Sequence, residues 1–405
     1  MSKPLAGIKV LDLATMVLGP LAAQYLGDMG AEVIKVEPPE GDLMRQIGPC
    51  HTPGMGAFFL GNNRNKRSVV LDLKSRVGLE ALYRLVRQSD VVIHSIRTAA
   101  ADRLGISYAD LSRENPRIIY CHVKGYSDEG LLGGSPAYDD VGQAQSGLAD
   151  IQRAVAGEPR YVPSILADKV TALHAGFGVS VALCERMRTG VGQVIDVPMV
   201  ETMAAFNVVE HLWGETFIPP LGPTGYVPVS SGSRRPFLTR DGRYICVLPY
   251  NEGHWRRFCE AVGDPDLIND PRYSTFAARQ ADQPGFWAEV GRRVATRDYD
   301  EWVELLGEQD VPFARVNSLD DLIQDPHLKS VGFWQVAEHE TEGMMRMPMN
   351  PVRLGTDARF VHALPPLLGQ HTGEVMREIG LSDEEIVLAE SAGVFGSVDV
   401  RRQLG

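Results

Sequence analysis

Cysteine is scarce in this 405-residue chain: Cys50, Cys121, Cys184, Cys246 and Cys259 are odd in number and far apart. They form no C-x-x-C pair and no Cys/His cluster at zinc spacing, so neither a disulfide framework nor a zinc centre is indicated. Each reads as a small, buried apolar residue. Long hydrophobic runs are missing too. The longest, residues 170–184, is broken by Thr171, His174 and Ser180 and falls short of the ~20 residues that a spanning helix needs. The opening Met-Ser-Lys-Pro-Leu-Ala-Gly lacks the apolar stretch of a secretory leader. The expectation is a cytoplasmic protein. Positive charge is in deficit, with 40 Lys and Arg against 52 Asp and Glu, a net −12. Nonspecific binding to nucleic acid or an anionic membrane needs a basic surface, and both are set aside. A local basic pocket for a phosphate-bearing ligand stays compatible with that balance. No G-x-G-x-x-G follows the first strand, and no G-x-x-x-x-G-K-[ST] or G-x-S-x-G occurs. The dinucleotide, P-loop and serine-hydrolase readings lose their main support.

What the chain has is a globular composition, 44% hydrophobic and 23% charged, at a length that fits two or three domains. Apolar runs at 8–13, 31–36, 68–73, 91–93 and 117–123 read as strands. Helical stretches at 20–30 and 75–88 alternate with them, and Pro20 is placed to open the first. That alternation predicts an α/β fold with a parallel sheet covered on both faces, Rossmann-like in layout. After a stretch rich in Gly, Ser, Asp and Pro, a long helix is expected over 164–188, then a strand at 193–197 and a helix at 200–212. A Pro- and Gly-rich connection at 219–236 marks a boundary. Beyond it lies a smaller α+β region, with a strand at 241–247 and helices near 254–262, 286–295 and 299–309. A last helix is expected at 372–379.

Asp168 stands out as a candidate nucleophile. It falls in the first turn of the long apolar helix, where free N–H groups and the helix dipole favour a carboxylate by about 0.3–1 kcal/mol. That would keep it ionised and available for attack. Acidic residues are also enriched in first turns for helix stability alone, and spacing does not separate the two readings. His122, His174 and His211 sit in apolar surroundings and read as structural. Arg64, Lys66 and Arg67 offer three cations before a strand, either a solvated turn or a phosphate contact. Arg103 and Lys124 follow sheet elements, where strand ends overhang a cleft. Residues 230–235, Ser-Ser-Gly-Ser-Arg-Arg, read either as a mobile site loop or as a linker.

Several segments, in order, resemble the class III CoA-transferase family. They are Pro4-Leu5-Ala6-Gly7-Ile8-Lys9-Val10-Leu11-Asp12-Leu13, Gly30-Ala31-Glu32-Val33-Ile34-Lys35-Val36-Glu37 and Asn65-Lys66-Arg67-Ser68. Pro136-Ala137-Tyr138-Asp139, Gln143-Ala144-Gln145-Ser146-Gly147 and Leu368-Gly369-Gln370-His371-Thr372 continue the match. The resemblance implies that Asp168 is the catalytic aspartate, which forms an aspartyl anhydride and then an aspartyl-CoA thioester. It implies Arg103 and Lys124 as contacts for the phosphates or adenine end of CoA, and Val17 and Leu18 for its pantetheine arm. Tyr138, Asp139, Ser231, Gly232 and Arg234 become candidate substrate or lid contacts. Two departures are visible: Pro38 stands where the family often has a CoA-contacting arginine, and Tyr138 where the related α-methylacyl-CoA racemases carry a histidine. Tyrosine, with a pKa near ~10, is a poor partner for α-proton exchange, so transferase is favoured over racemase. A CoA-binding protein without turnover is the third reading, and the carboxylate of Asp168 argues against it. No cofactor is expected, CoA being a co-substrate. The partners expected are an acyl-CoA, a small carboxylic acid and a second copy of the chain in an interlocked homodimer. Arg64, Arg234 and Arg235 point to a dicarboxylic acid of C4 or C5 length. The domain expectation is a large CoA-binding part over 1–200, a linker at 201–225, a small α+β domain at 226–328, a linker at 329–349 and a return at 350–405.

Overall fold

The elements that shape the site are β1 (Lys9–Asp12), α1 (Leu18–Asp28), β2 (Glu32–Glu37), β3 (Lys66–Leu71), α2 (Arg76–Arg87), β4 (Val91–His94), β5 (Ile119–Lys124), α3 (Asp139–Gln145), α4 (Leu166–Thr189), β6 (Gln193–Pro198), α5 (Thr372–Glu378) and β7 (Phe395–Gly396). The computed structural model describes residues 3–355 and 363–396. Its main sheet has seven strands in the order β7-β3-β2-β1-β4-β5-β6. All neighbours are parallel except β7 on β3. Val10, Leu11, Val91, Val92 and Ile93 in the two central strands are buried. A sheet covered on both faces needs such unbroken apolar runs, which is why these strands were readable. The strand order reverses between β1 and β4, so a crevice opens beyond their C-terminal ends.

Some boundaries differ from expectation. Helix α1 begins at Leu18, not at Pro20; proline costs nothing in a first turn whose N–H groups have no partner anyway. Strand β3 runs over Lys66–Leu71 rather than 68–73. Its polar start reads as a turn in sequence, yet Lys66 and Ser68 are buried because Asp12 and Glu37 receive their side chains. β7 is two residues long, too short to show a period. The expected linker at 329–349 holds a hairpin, Trp334–His339 against Gly343–Pro348.

The chain divides into two units, the first comprising Met1–Ser146, Val162–Phe206 and His327–Gly405, the second Gly147–Tyr161 and Asn207–Pro326. Of the expected return at 350–405, residues 356–362 and 397–405 lie outside the described residues. The second unit has a three-stranded antiparallel sheet. Its core is aromatic: Trp255, Phe258, Phe286, Trp287 and Trp302 pack together. Trp287 and Trp302 donate their indole N–H groups to Gln283 and the Val294 carbonyl, at 2.8 and 2.7 Å. No described helix is long and apolar enough to cross a membrane.

Candidate active site

A cavity of about 200 Å³ lies at the crevice of the first unit. Thr15, Met16 and Leu18 follow β1 into its wall, and Ser95, Arg97 and Thr98 follow β4. His122 and Lys124 from the end of β5, Asp128 just beyond it, Tyr138 before α3, and Asp168 add further polar and charged groups to the lining.

Asp168 is the third residue of α4, whose N-cap, Ile165, has no side-chain hydrogen bond to give. Asp139 supplies the missing cap from another helix: its Oδ1 accepts from the Asp168 N–H at 3.0 Å. Gln143 braces that carboxylate, donating to Asp139 Oδ2 at 2.7 Å and accepting from the Val162 N–H at 2.8 Å. The helices approach closely because residue 142 is glycine; a Cβ there would stand 2.8 Å from the Ala167 Cβ. The Asp168 carboxylate itself has no hydrogen bond or ion pair among the described residues. Burial, and next the negative charge of Asp139, push its pKa up to about 7. This corrects the dipole argument. A favourable helix terminus is outweighed by desolvation and a like charge, and the group is only partly ionised at neutral pH.

Lys124 lines the cavity between two carboxylates, 2.7 Å from Asp128 and 2.8 Å from Asp196. Burial opposes its charge, but those two partners outweigh it and raise its pKa. His122 stacks on His94 across paired strands, with centroids 4.2 Å apart. Burial, then the nearby Lys124 charge, hold His122 at about 4. His94 is also depressed, first by burial and then by His122. Both imidazoles are therefore neutral near pH 7.

Other sequence candidates scatter. Leu18 and Tyr138 line the cavity, Tyr138 being 66% exposed. Val17 instead packs inward against Met44 and Phe59. Asp139 is buried and serves as the cap, not as a surface for substrate. Arg103 is exposed on its short helix and outside the cavity lining. Arg64, Lys66 and Arg67 are each committed to carboxylates and lie outside the lining of this cavity. Arg64 is bound in a fork by Asp28, Lys66 is buried against Asp12, and Arg67 is held by Glu32, Glu374 and Glu378. With Arg64 committed, the dicarboxylate argument loses one of its three arginines. His174 is exposed rather than set in apolar surroundings, and bonds the Val170 carbonyl. His211 accepts from the Tyr226 N–H. Ser231, Gly232 and Arg234 belong to the second unit, where Ser231 and Ser233 share a hydroxyl contact of 2.6 Å. Arg97 was missed, although its position just beyond β4 at the reversal of strand order is the signal that finds it.

A cleft over the C-terminal strand ends, with an unpaired carboxylate at a helix start, fits many chemistries, and sequence comparison decides among them. The family model described as CoA-transferase family III matches residues 5–372. The chain belongs to CoA-transferase family III. As a family III enzyme it is 30% identical to succinyl-CoA:glutarate CoA-transferase of Homo sapiens over 391 residues, 95% of this chain and 88% of that relative. It is 32% identical to formyl-CoA:oxalate CoA-transferase of Escherichia coli O157:H7 over 412 residues, 95% of this chain and 98% of that relative. Among solved structures, Rv3272 of Mycobacterium tuberculosis superposes with a TM-score of 0.80 at 29% identity, covering 92% of this chain and 98% of that one. A CAIB/BAIF family protein of Brucella suis gives 0.79 at 28% identity, covering 94% and 100%. The family III match spans the crevice, Asp168 and the second unit alike.

Proposed function

We propose that this CoA-transferase moves CoA from an acyl-CoA to a free carboxylic acid with Asp168 as nucleophile. One observation carries the reading: the Asp168 carboxylate is unpaired in the cavity, whereas neighbouring Asp128 is occupied by Lys124 and Thr98. A carboxylate with its pKa raised to about 7 is more basic, hence a better nucleophile once ionised. Asp168 attacks the thioester carbonyl, the C–S bond breaks, and CoA thiolate leaves behind a mixed aspartyl anhydride. The thiolate then attacks the aspartyl carbonyl and releases the donor acid, forming an aspartyl-CoA thioester. The acceptor carboxylate attacks that thioester, and the thiolate returns to the acceptor carbonyl, restoring Asp168. No net proton or electron is consumed, so CoA is a co-substrate and no cofactor is required. Both intermediates hydrolyse readily, which calls for a site that excludes water.

Arg97 and Lys124 are the cations we assign to the anionic part of CoA. The relatives named for glutarate and oxalate support a dicarboxylic acceptor here. Dimerisation is part of the proposal: α4 leaves Leu173, Phe177 and Val181 on one face at 58%, 69% and 49% exposure, apolar area that a second copy would cover. Only Cys121 and Cys259 are buried as expected; the free thiols of Cys50, Cys184 and Cys246 are exposed, which suits a reducing, cytoplasmic setting.

The decisive experiment mixes acyl-CoA donors with free mono- and dicarboxylic acids and follows CoA exchange by chromatography, with hydroxylamine trapping and peptide mapping. Exchange with hydroxamate on Asp168 is expected. Near-normal exchange by Asp168→Ala would remove Asp168 from the mechanism. Racemisation is the second reading, because a histidine shares the cavity with Asp168. His122 Nε2 is buried, however, and an imidazole held at about 4 is a weak base for an α-proton. Loss of an α-deuteron from a 2-methylacyl-CoA without CoA exchange would reverse that preference.

A further inference from the structure

The loop over residues 14–18 forms one wall of the cavity, and its backbone is constrained. Met16 holds φ 68, in the left-handed region that side chains with a Cβ avoid unless neighbours impose it. The loop folds back so tightly that a Cβ on Gly19 would lie 2.2 Å from the Ala14 Cβ. Side chains hold it from beneath. The Ala14 N–H donates to Asp12 Oδ1 at 3.1 Å, and the Ala14 carbonyl accepts from Lys35 Nζ at 3.0 Å. The Met16 N–H donates to Asp42 Oδ1 at 3.1 Å, and its carbonyl accepts from Asn62 Nδ2 at 3.0 Å.

Three of these four anchors, Asp12, Lys35 and Asp42, are charged and fully buried. Lys35 Nζ lies 2.9 Å from Asp42 and 3.9 Å from Asp12, and Lys66 Nζ lies 2.8 Å from Asp12; all four side chains have 0% exposure. Two cations thus balance two anions inside the protein. Apolar packing of equal volume commonly stabilises a fold as well as a buried ion pair does, so stability alone does not account for the arrangement. What the charged network gives the loop is direction: two amides and one carbonyl fixed at once, with neutral Asn62 holding the second carbonyl.

We infer that Lys35 and Asp42 are positioning residues, whose buried ion pair locks the loop at Met16 and so sets the cavity wall that receives the thioester end of CoA. This rests on the CoA reading of the cavity. The test titrates CoA itself into purified full-length protein by calorimetry at 25 °C. Lys35→Met combined with Asp42→Asn removes one charge of each sign and is expected to weaken CoA binding tenfold, with unfolding still cooperative. Asn62→Leu, a neutral change that removes the Met16 anchor, is expected to weaken it more than threefold. Arg186→Met breaks a half-buried pair with Asp90, 2.7 Å apart at the opposite ends of the strands; it should lower the melting temperature and leave CoA affinity unchanged. A merely structural role would make affinity follow melting temperature in all three. Changes below threefold in both loop variants overturn the inference, and if the double variant does not fold, Asn62→Leu decides by the same threshold. A wild-type protein that binds no CoA overturns the functional reading and this inference together, a result distinct from normal binding that the loop variants fail to perturb.

Discussion

At the scale of single residues, the unusual group is Asp168, poised by burial and by Asp139. Because attack needs the ionised form, kcat/KM for CoA exchange is expected to rise between pH 5 and 8 with a midpoint near the about 7 of the free enzyme. Asp139→Asn keeps an amide oxygen for the Asp168 N–H while removing the like charge, so the midpoint should move to lower pH. The stability consequence has the opposite sense. A carboxyl whose folded pKa is raised favours the fold while protonated, and that contribution is lost as pH climbs from about 4 through about 7. Asp168→Asn is therefore expected to abolish exchange yet raise the melting temperature by about 2 °C or more at pH 8, with no gain at pH 4. Calorimetric melts at both values check it. The position of Asp168 was legible from its place at a helix start. Its pKa was not, because the group that perturbs it lies 29 residues away in sequence and the burial comes from tertiary packing.

At the scale of elements, β4 ends in His94, which stacks on His122 near the end of β5, and the fold keeps both neutral. Lys124 faces them, with Asp196 and Asp128 beyond it, and burial sets the direction. Unfolded histidine titrates near ~6.5, so between that pH and about 4 the unfolded chain takes up protons that the folded strands refuse. This contribution is complete above pH 6.5 and falls as the solution is acidified, by about 2 kcal/mol for His122 at pH 5, with His94 acting in the same direction. Melts of Asp168→Asn from pH 7.5 to 5, which remove the opposing contribution of that carboxyl, should show the decline, and His94→Phe in the same background should reduce it. The central strands were readable because both their faces are covered and their sequences are apolar throughout. The start of β3 was not, since Lys66 looks like a turn residue until Asp12, 54 positions earlier, is seen to neutralise it. Arg64 and Arg67 misled for the same reason: charge in sequence is visible, but its partner is not. β7 is a product of long-range pairing with β3 and left no local trace, and the hairpin at 334–348, although local, was read as a linker because no Gly-containing two-residue turn marks it.

At the scale of the whole molecule, the net charge of −12 does not prevent binding of a polyanion, because only a few cations at one crevice are needed. The apolar face of α4 makes assembly measurable. Phe177→Glu with Leu173→Glu should convert the protein from dimer to monomer in sedimentation velocity, while unchanged sedimentation of a monomeric wild type would remove dimerisation from the proposal. The pairing of β7 with β3 also has a consequence for biosynthesis. Leu71 and Phe395 are register partners, so a ribosome must add more than three hundred residues after one before it reaches the other. At ~5–20 residues per second, the exposed edge of β3 waits tens of seconds for its cover. The nascent chain would spend that interval with an open strand edge, a natural point for chaperones to act, and truncation just before Phe395 should shift the product from soluble protein toward aggregate.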